Sequence, residues 1–426
     1  MRRYGLIIWA ILAGSLLVAA DLSRPNIILI MADDMGYECV AANGSSTFKT
    51  PVLDRLAETG VRFEHCYSQP LCTPSRVKIM TGINNIRNYV QFGLLDRQQT
   101  TFAHLLKNSG YATCIAGKWQ LGEEPDAPQH FGFDESCLWQ HTRRAKDLDR
   151  RDTRYPNPQL EINGKPVDYS NGEYGPEVVT DFICDFMERS REKPFLVYYP
   201  MILPHSPFVP TPDSQDSNCK SDQTNFEDMV AYVDKMVGRI SVKLDELDLR
   251  DNTLLLFTGD NGTSSAITSV CRGQTIKGGK GKMTDAGTRV PLIANWPGTI
   301  AGGAVLDELV DFSDFLPTLC EAAGVAIPTE LNTDGHSFLP QLKGQPGNPR
   351  EWAYCWYLSK KGRVEEWART QRYKLYRTGK FYDVSADPLE KNPLDKLTPE
   401  AKEAHALLNA ALSKYKNARP ADLLQP

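Results

Sequence analysis

Apolar residues occur in two patterns along the chain. Short unbroken runs at Asn26–Ala32, Tyr111–Ala116, Phe195–Tyr199 and Thr253–Thr258 read as strands buried on both faces. Between them, apolar residues return every three or four positions. Val52, Leu53 and Leu56 follow Thr50-Pro51 and stop at Gly60; Phe102, Leu105 and Leu106 follow Thr100 and stop at Gly110. Val178, Val179, Phe182, Ile183, Phe186 and Met187 form a third stripe. A longer one runs from about Asn225 to Asp248, and a last one from Phe312 to Leu319. Strands alternating with amphipathic helices predict an α/β fold. Two segments break the rhythm. From Glu123 to Gly175 the periodicity fades, which predicts a long loop, and its cluster of Arg143, Arg144, Lys146, Arg150, Arg151 and Arg154, interleaved with Asp, reads as a solvated surface. Beyond the linker-like Gly344–Pro349, short aromatic runs at Trp352–Leu358, Tyr373–Tyr376 and Lys380–Val384 precede a helix opened by Thr398-Pro399. They predict a small antiparallel sheet plus one helix.

Composition sharpens the outline. The 426 residues divide into a leader at 1–20, an α/β domain at 21–343 and a small α+β subdomain at 344–426. Arg2 and Arg3, the apolar run Leu6–Leu17 and the small residues Ala19 and Ala20 have the form of a secretory signal peptide, so a periplasmic or secreted protein without a stable membrane span is expected. A net charge of -5 without a basic run argues against nucleic acid as a partner. Ten cysteines in an exported chain invite bridges, yet Cys114, Cys184 and Cys320 sit inside apolar runs, which favours buried thiols.

Candidate chemistry gathers where strands end. Asp33-Asp34 follows the first run and Asp260-Asn261 the Thr253–Thr258 run; four hard oxygen donors without paired His or Cys suit Ca²⁺ or Mg²⁺ rather than zinc. His205 stands between Pro204 and Pro207 beyond a third strand, and Lys118 follows a fourth. Lys280 lies in the basic loop Gly278–Lys282. In Gln69–Gly82, Thr73 is placed as a helix N-cap and Pro74 as its first residue, with Cys72 at the mouth and Arg76 one turn in. A helix N-terminus and a guanidinium beside a thiol make an anion site next to a nucleophile.

These motifs together resemble the type I, formylglycine-dependent sulfatases of the alkaline-phosphatase-like superfamily. Cys72-Thr73-Pro74-Ser75-Arg76 through Thr81-Gly82 matches the family signature, and Gly110-Tyr111 through Gly117-Lys118-Trp119 with Leu121-Gly122 matches the second. Asp33-Asp34, Pro204-His205, Asp260-Asn261-Gly262, Lys280, Gly287-x-Arg289-Val290-Pro291 and Phe381-Tyr382-Asp383 follow in family order. The resemblance implies a central mixed sheet flanked by helices, with a small C-terminal antiparallel sheet plus helix. It also implies that Cys72 is converted to formylglycine by a formylglycine-generating enzyme, and that a hydroxyl of the aldehyde hydrate attacks the sulfur of a sulfate ester, such as one on a sulfated carbohydrate. Ca²⁺ would be held by Asp33, Asp34, Asp260, Asn261 and the converted Cys72. Arg76, Lys118 and Lys280 would neutralise the sulfate oxygens, and His205 would protonate the leaving alcohol. Lys118, Lys280 and Gln120 would contact substrate. Gln120 stands where the family commonly has His, with His130, His141 and His336 as candidate substitutes, and Asp285-Ala286 replaces the usual Glu-Gly. Two other readings share the motifs: a phosphonate or phosphodiester hydrolase of the same superfamily, and a non-catalytic glycan-binding protein suggested by Gln120.

Overall fold

The computed structural model describes residues 24–139, 141–143, 153–359 and 362–423. The leader at 1–20 and Arg144, Lys146, Arg150 and Arg151 of the basic cluster lie outside the described residues. In chain order the strands are β1 (Asn26–Ala32), β2 (Val61–Tyr67), β3 (Ala112–Lys118), β4 (Glu135–Trp139), β5 (Gln159–Ile162), β6 (Lys165–Asp168), β7 (Phe195–Pro200) and β8 (Thr253–Gly259). They continue as β9 (Thr268–Cys271), β10 (Gln274–Lys277), β11 (Arg289–Val290), β12 (Leu292–Asn295), β13 (Ala304–Asp311), β14 (Ala353–Leu358), β15 (Val364–Arg369), β16 (Tyr373–Tyr376) and β17 (Phe381–Asp383). Eleven of them form one mixed sheet, ordered β11-β2-β12-β8-β1-β7-β3-β4-β5-β6 with β13 on β2, and β14 to β17 form a separate antiparallel sheet.

The continuous apolar run of β1 is explained by its place in this order. With β8 on one side and β7 on the other, both parallel to it, β1 has no solvent face. Ile27, Leu29 and Met31 enter the layer that holds Val77, Ile79 and Met80, whereas Ile28, Ile30 and Ala32 enter the layer of Val233, Met236, Val237 and Ile240. The first layer is built on helix α2 (Cys72–Thr81) and the helices Phe102–Asn108 and Phe315–Ala322; the second on α1 (Pro51–Glu58), Gly175–Ser190 and Asp222–Glu246.

Four readings of the sequence need correction. The stretch from Glu123 to Gly175 is no loop throughout: β4, β5 and β6 extend the main sheet through β3. Their four- and five-residue lengths, with Lys165 and Asp168 at exposed positions, leave too few periods to register as strands. The central strand of the small sheet, β15 (Val-Glu-Glu-Trp-Ala-Arg), was also hidden, because its buried positions include Glu366 and Arg369. Finally, α2 begins at Cys72 with Leu71 as its N-cap. Thr73 lies inside the first turn, where its hydroxyl accepts from the Gly93 N–H at 3.0 Å. The neighbouring helix is capped by Thr101 rather than Thr100.

Helix α2 is buried on every side, including Lys78, which is 1% exposed. Its ammonium lies 2.7 Å from Asp311 at the end of β13 and donates to the Tyr354 carbonyl of β14 at 2.7 Å. This buried pair ties the helix that carries Cys72 to both sheets. Asp285, the residue that replaces Glu, makes a second tie: Arg369 of β15 reaches it at 2.6 and 2.7 Å and Lys374 of β16 at 3.2 Å. Removing one member of a buried pair strands the other. Lys78→Met is therefore expected to cost about 3–5 kcal/mol of stability in denaturant unfolding, while Lys78→Met combined with Asp311→Asn recovers part of the loss.

Candidate active site

Strands β8, β1, β7 and β3 are parallel neighbours, so their carboxyl ends open on one edge of the sheet. Ala32 pairs with Gly259 in register, which sets Asp33 beside Asp260. The pairing continues past the strand ends, with Asp260 N donating to Ala32 O at 2.9 Å and Asp33 N to Leu203 O at 2.8 Å. Asp34 then turns through φ +67, its N–H donating to Asp260 Oδ1 at 3.0 Å. Gly259 is required for this crossing: a Cβ there would stand 2.0 Å from the Met35 carbonyl oxygen. Ligand atoms of Asp33, Asp34, Cys72 and Asp260 all lie within 4.8 Å of one another, and all four residues are buried.

Each carboxylate in this cluster meets its own cation. Lys118, the last residue of β3, donates to Asp33 at 2.7 and 3.0 Å. Arg76 donates to Asp260 Oδ2 at 3.1 Å and to the Lys118 carbonyl at 2.8 Å. Lys280 donates to Asp34 Oδ2 at 2.5 Å. Burial works against ionisation of Asp33, but Lys118, His205, Arg76 and Lys280 outweigh it and hold the carboxyl well below the usual range. Burial and the Asp33 charge push Asp260 upward despite Arg76. Burial pushes the Cys72 thiol up to about 12, with Lys118 opposing and Asp260, Asp33 and Asp34 adding to the rise.

Two buried atoms in the cluster lack a hydrogen-bond partner. One is an acceptor, Asn261 Oδ1, whose amide nitrogen donates to Asp34 at 2.8 Å; the other is a donor, Arg76 Nε. A buried amide oxygen with no donor, beside three carboxylates, fits a hard cation. A buried guanidinium N–H with no acceptor fits an anion. The residue set therefore accommodates both.

His205 completes the edge. Its Nε2 lies 3.0 Å from Lys280 Nζ and 3.6 Å from Asp34 Oδ2. On the other side of the ring, Arg154 Nη1 is 2.6 Å from both Nδ1 and the Ser206 carbonyl, and stacks over Trp139 at 4.3 Å. Tyr155 also donates to the His205 carbonyl. Burial, aided by Lys118 and Lys280, lowers the His205 pKa against the pull of Asp33 and Asp34. Arg154 thus departs from the solvated surface expected of its cluster. No periodic signal marks it, because its role comes from a contact 51 residues away in sequence.

Gln120 follows Lys118 with φ +57, and its Oε1 is buried without a partner. None of the three candidate substitutes for a His at this position joins the carboxylate cluster. His130 contacts the Arg97 carbonyl at 2.7 Å and His336 the Asn348 carbonyl at 3.3 Å. His141 contacts the Glu124 carbonyl at 2.8 Å and packs edge-on against Trp119. All ten cysteines are free thiols.

Known proteins are similar to this chain in sequence and in fold. A family model described as sulfatase matches residues 25–325, and one described as N-sulphoglucosamine sulphohydrolase, C-terminal, matches residues 279–418. Arylsulfatase A of Homo sapiens is 32% identical over 415 residues, covering 88% of this chain and 79% of that protein. N-acetylgalactosamine-6-sulfatase of Mus musculus is 32% identical over 362 residues, covering 78% and 68%. The crystal structure of Ps i-CgsB superposes with a TM-score of 0.78 at 26% identity, covering 93% of this chain and 94% of that one.

The Cys72 environment yields a direct measurement. A thiol that is 2% exposed and titrates near 12 holds almost no thiolate at pH 8. In protein carrying unmodified Cys72, iodoacetamide at pH 8 is expected to alkylate Cys72 more than about 100-fold more slowly than a free thiol, with the half-buried Cys219 labelled first in peptide mass spectra.

Proposed function

The chain belongs to the sulfatase family and is a sulfuric ester hydrolase, and we propose that it is an exported enzyme that removes sulfate from a sulfated carbohydrate through a formylglycine at position 72 and a bound Ca²⁺. The observation that carries the proposal is the meeting of Cys72 with Asp33, Asp34 and Asp260 inside one buried cluster, each carboxylate faced by its own cation.

Charge balance supports the cation. Asp33, Asp34 and Asp260 match Lys118, Lys280 and Arg76 one for one, so these side chains alone offer a sulfate no surplus of positive charge. With a divalent cation on Asp33, Asp34, Asp260 and the free Oδ1 of Asn261, the same three cations have charge to spare. When bound, Ca²⁺ supplies Lewis-acid polarisation of the nucleophile and of a sulfate oxygen. Arg76 then offers its unpartnered Nε–H to sulfate, and Lys118 and Lys280 balance the charge that grows on the sulfate oxygens in the transition state.

The thiol chemistry supports conversion of Cys72. A group held as the neutral thiol by burial and three carboxylates is a poor nucleophile. Formylglycine, made by a formylglycine-generating enzyme, supplies through its hydrate one hydroxyl for attack on sulfur and a second to expel sulfate. Lying at the first position of α2, residue 72 also places the helix N-terminus against the anion.

His205 moves the proton. Arg154 and the Ser206 carbonyl fix the Nδ1 side of the ring, and protonation of the imidazole puts an N–H on Nε2, the nitrogen that faces Lys280 and Asp34. From Nε2 the proton passes to the leaving alcohol. Gln120, two residues beyond Lys118, offers its free Oε1 to a substrate hydroxyl. A sugar substrate is consistent with relatives named N-acetylgalactosamine-6-sulfatase and with the complex of Ps i-CgsB with k-i-k-neocarrahexaose. Export rests on the leader at 1–20; among the described residues no helix is long and apolar enough to cross a membrane.

The test combines mass spectrometry with sulfate release. The peptide containing residue 72 is expected to carry the mass of an aldehyde, and Cys72→Ala to lose at least about a thousandfold in turnover. Unchanged turnover in Cys72→Ala would refute the mechanism. Chelation with EGTA is expected to abolish activity and added Ca²⁺ to restore it, with Asn261→Ala needing about tenfold more Ca²⁺ for half-activity.

A further inference from the structure

A second cavity shares a wall with the site. It has a volume of about 600 Å³ and lies between Gly281–Thr284 and residues of β15, β16, β17 and the turns that join them. The shared wall is fixed: Gly281 N donates to the Pro70 carbonyl at 2.8 Å, two residues before Cys72, and Met283 packs in one cluster with Tyr357 and Leu71. Gly281 has φ +82, a left-handed turn that sends the lysines on either side of it to different places. Lys280 reaches Asp34 and His205, while Lys282 lines the second cavity.

Charges on the cavity wall do not cancel. Its carboxylates are engaged: Glu366 by Arg377, Glu390 by Lys374 at 2.9 Å and Glu365 by Arg363 at 3.2 Å. Lys282 and Lys380 face the same cavity and have no acidic partner among the described residues. A chain of net charge -5 therefore presents a local surplus of two positive charges beside its sulfate site. On the same cavity wall Val364 is 49% exposed, an apolar surface suited to the C–H face of a sugar ring. A small monosulfate has nothing to place here; a glycan with a further anionic group has.

We propose that this cavity binds a second anionic group, sulfate or carboxylate, on a sugar adjoining the one whose sulfate is cleaved, so that the substrate is a polyanionic oligosaccharide held on both sides of Gly281. The proposal rests on the sulfate-ester reading of the Cys72 site.

The experiment compares the wild type with Lys282→Ala/Lys380→Ala on two kinds of substrate: 4-nitrophenyl sulfate, and hexasaccharides of chondroitin 6-sulfate, heparin and κ-carrageenan. The same hexasaccharides are titrated calorimetrically into Cys72→Ala with and without the two lysine changes. For the hexasaccharide that is turned over best, the double variant is expected to raise KM by about tenfold with kcat unchanged, to flatten the salt dependence of KM, and to leave kcat/KM for 4-nitrophenyl sulfate as it was. An unchanged KM for every hexasaccharide overturns the proposal, as does an equal loss on 4-nitrophenyl sulfate. Wild-type protein that releases sulfate from none of these esters overturns the sulfate-ester reading instead. The calorimetric comparison then decides the cavity alone: equal affinities with and without the lysines reject it, and a tenfold loss supports it.

Discussion

Everything in this fold answers to one electrostatic constraint: three carboxylates must sit within touching distance of one another inside a buried edge of the sheet. Such a cluster is costly, since burial penalises each charge and each charge penalises its neighbours. The parallel order of β8, β1, β7 and β3 meets the cost with geometry. Adjacent strand ends deliver Asp260, Asp33 and Lys118 to one edge, and the chain beyond β7 brings His205. Arg76 comes from α2 and Lys280 from a loop, so every cation reaches its carboxylate from a different element. Shifting any one of them leaves a charge without its counterpart.

The small C-terminal sheet acts on the site through these supporting elements. Lys78 fastens α2 to Asp311 and to the Tyr354 carbonyl, and Asp285 is gripped by Arg369 and Lys374. The segment Lys280–Arg289 thus starts on the carboxylate cluster and is held at its middle, Asp285, by β15 and β16. The sheet is a brace for two cation-bearing elements, which explains why residues as polar as Arg369 and Lys374 are buried in it.

Most of the site was legible in the sequence because it is built from short contiguous motifs. Asp33-Asp34, Lys118, Asp260-Asn261 and Cys72 through Arg76 each end or follow a strand or open a helix, and the strand runs are apolar enough to stand out. What escaped was written in pairings rather than in local pattern. β4, β5 and β6 are too short to show a period, β15 buries charged residues against partners elsewhere, and Arg154 acquires its place from His205 and Trp139. The N-cap was misplaced because Thr73 and Pro74 have the right residue types two residues too late; Thr73 spends its hydroxyl on the Gly93 N–H.

The complete enclosure of α2 has a consequence for timing. All ten of its residues, from Cys72 to Thr81, are buried, with the sheet on one flank and Asp311 and Tyr354 on another. An enzyme that converted residue 72, as proposed, would meet in the folded chain a side chain only 2% exposed on a helix with no exposed residue. The proposed conversion would therefore have to precede collapse of the core around α2. Under that proposal, a substitution that hastened packing of α2 would lower the share of chains converted at residue 72 without lowering the stability of the fold.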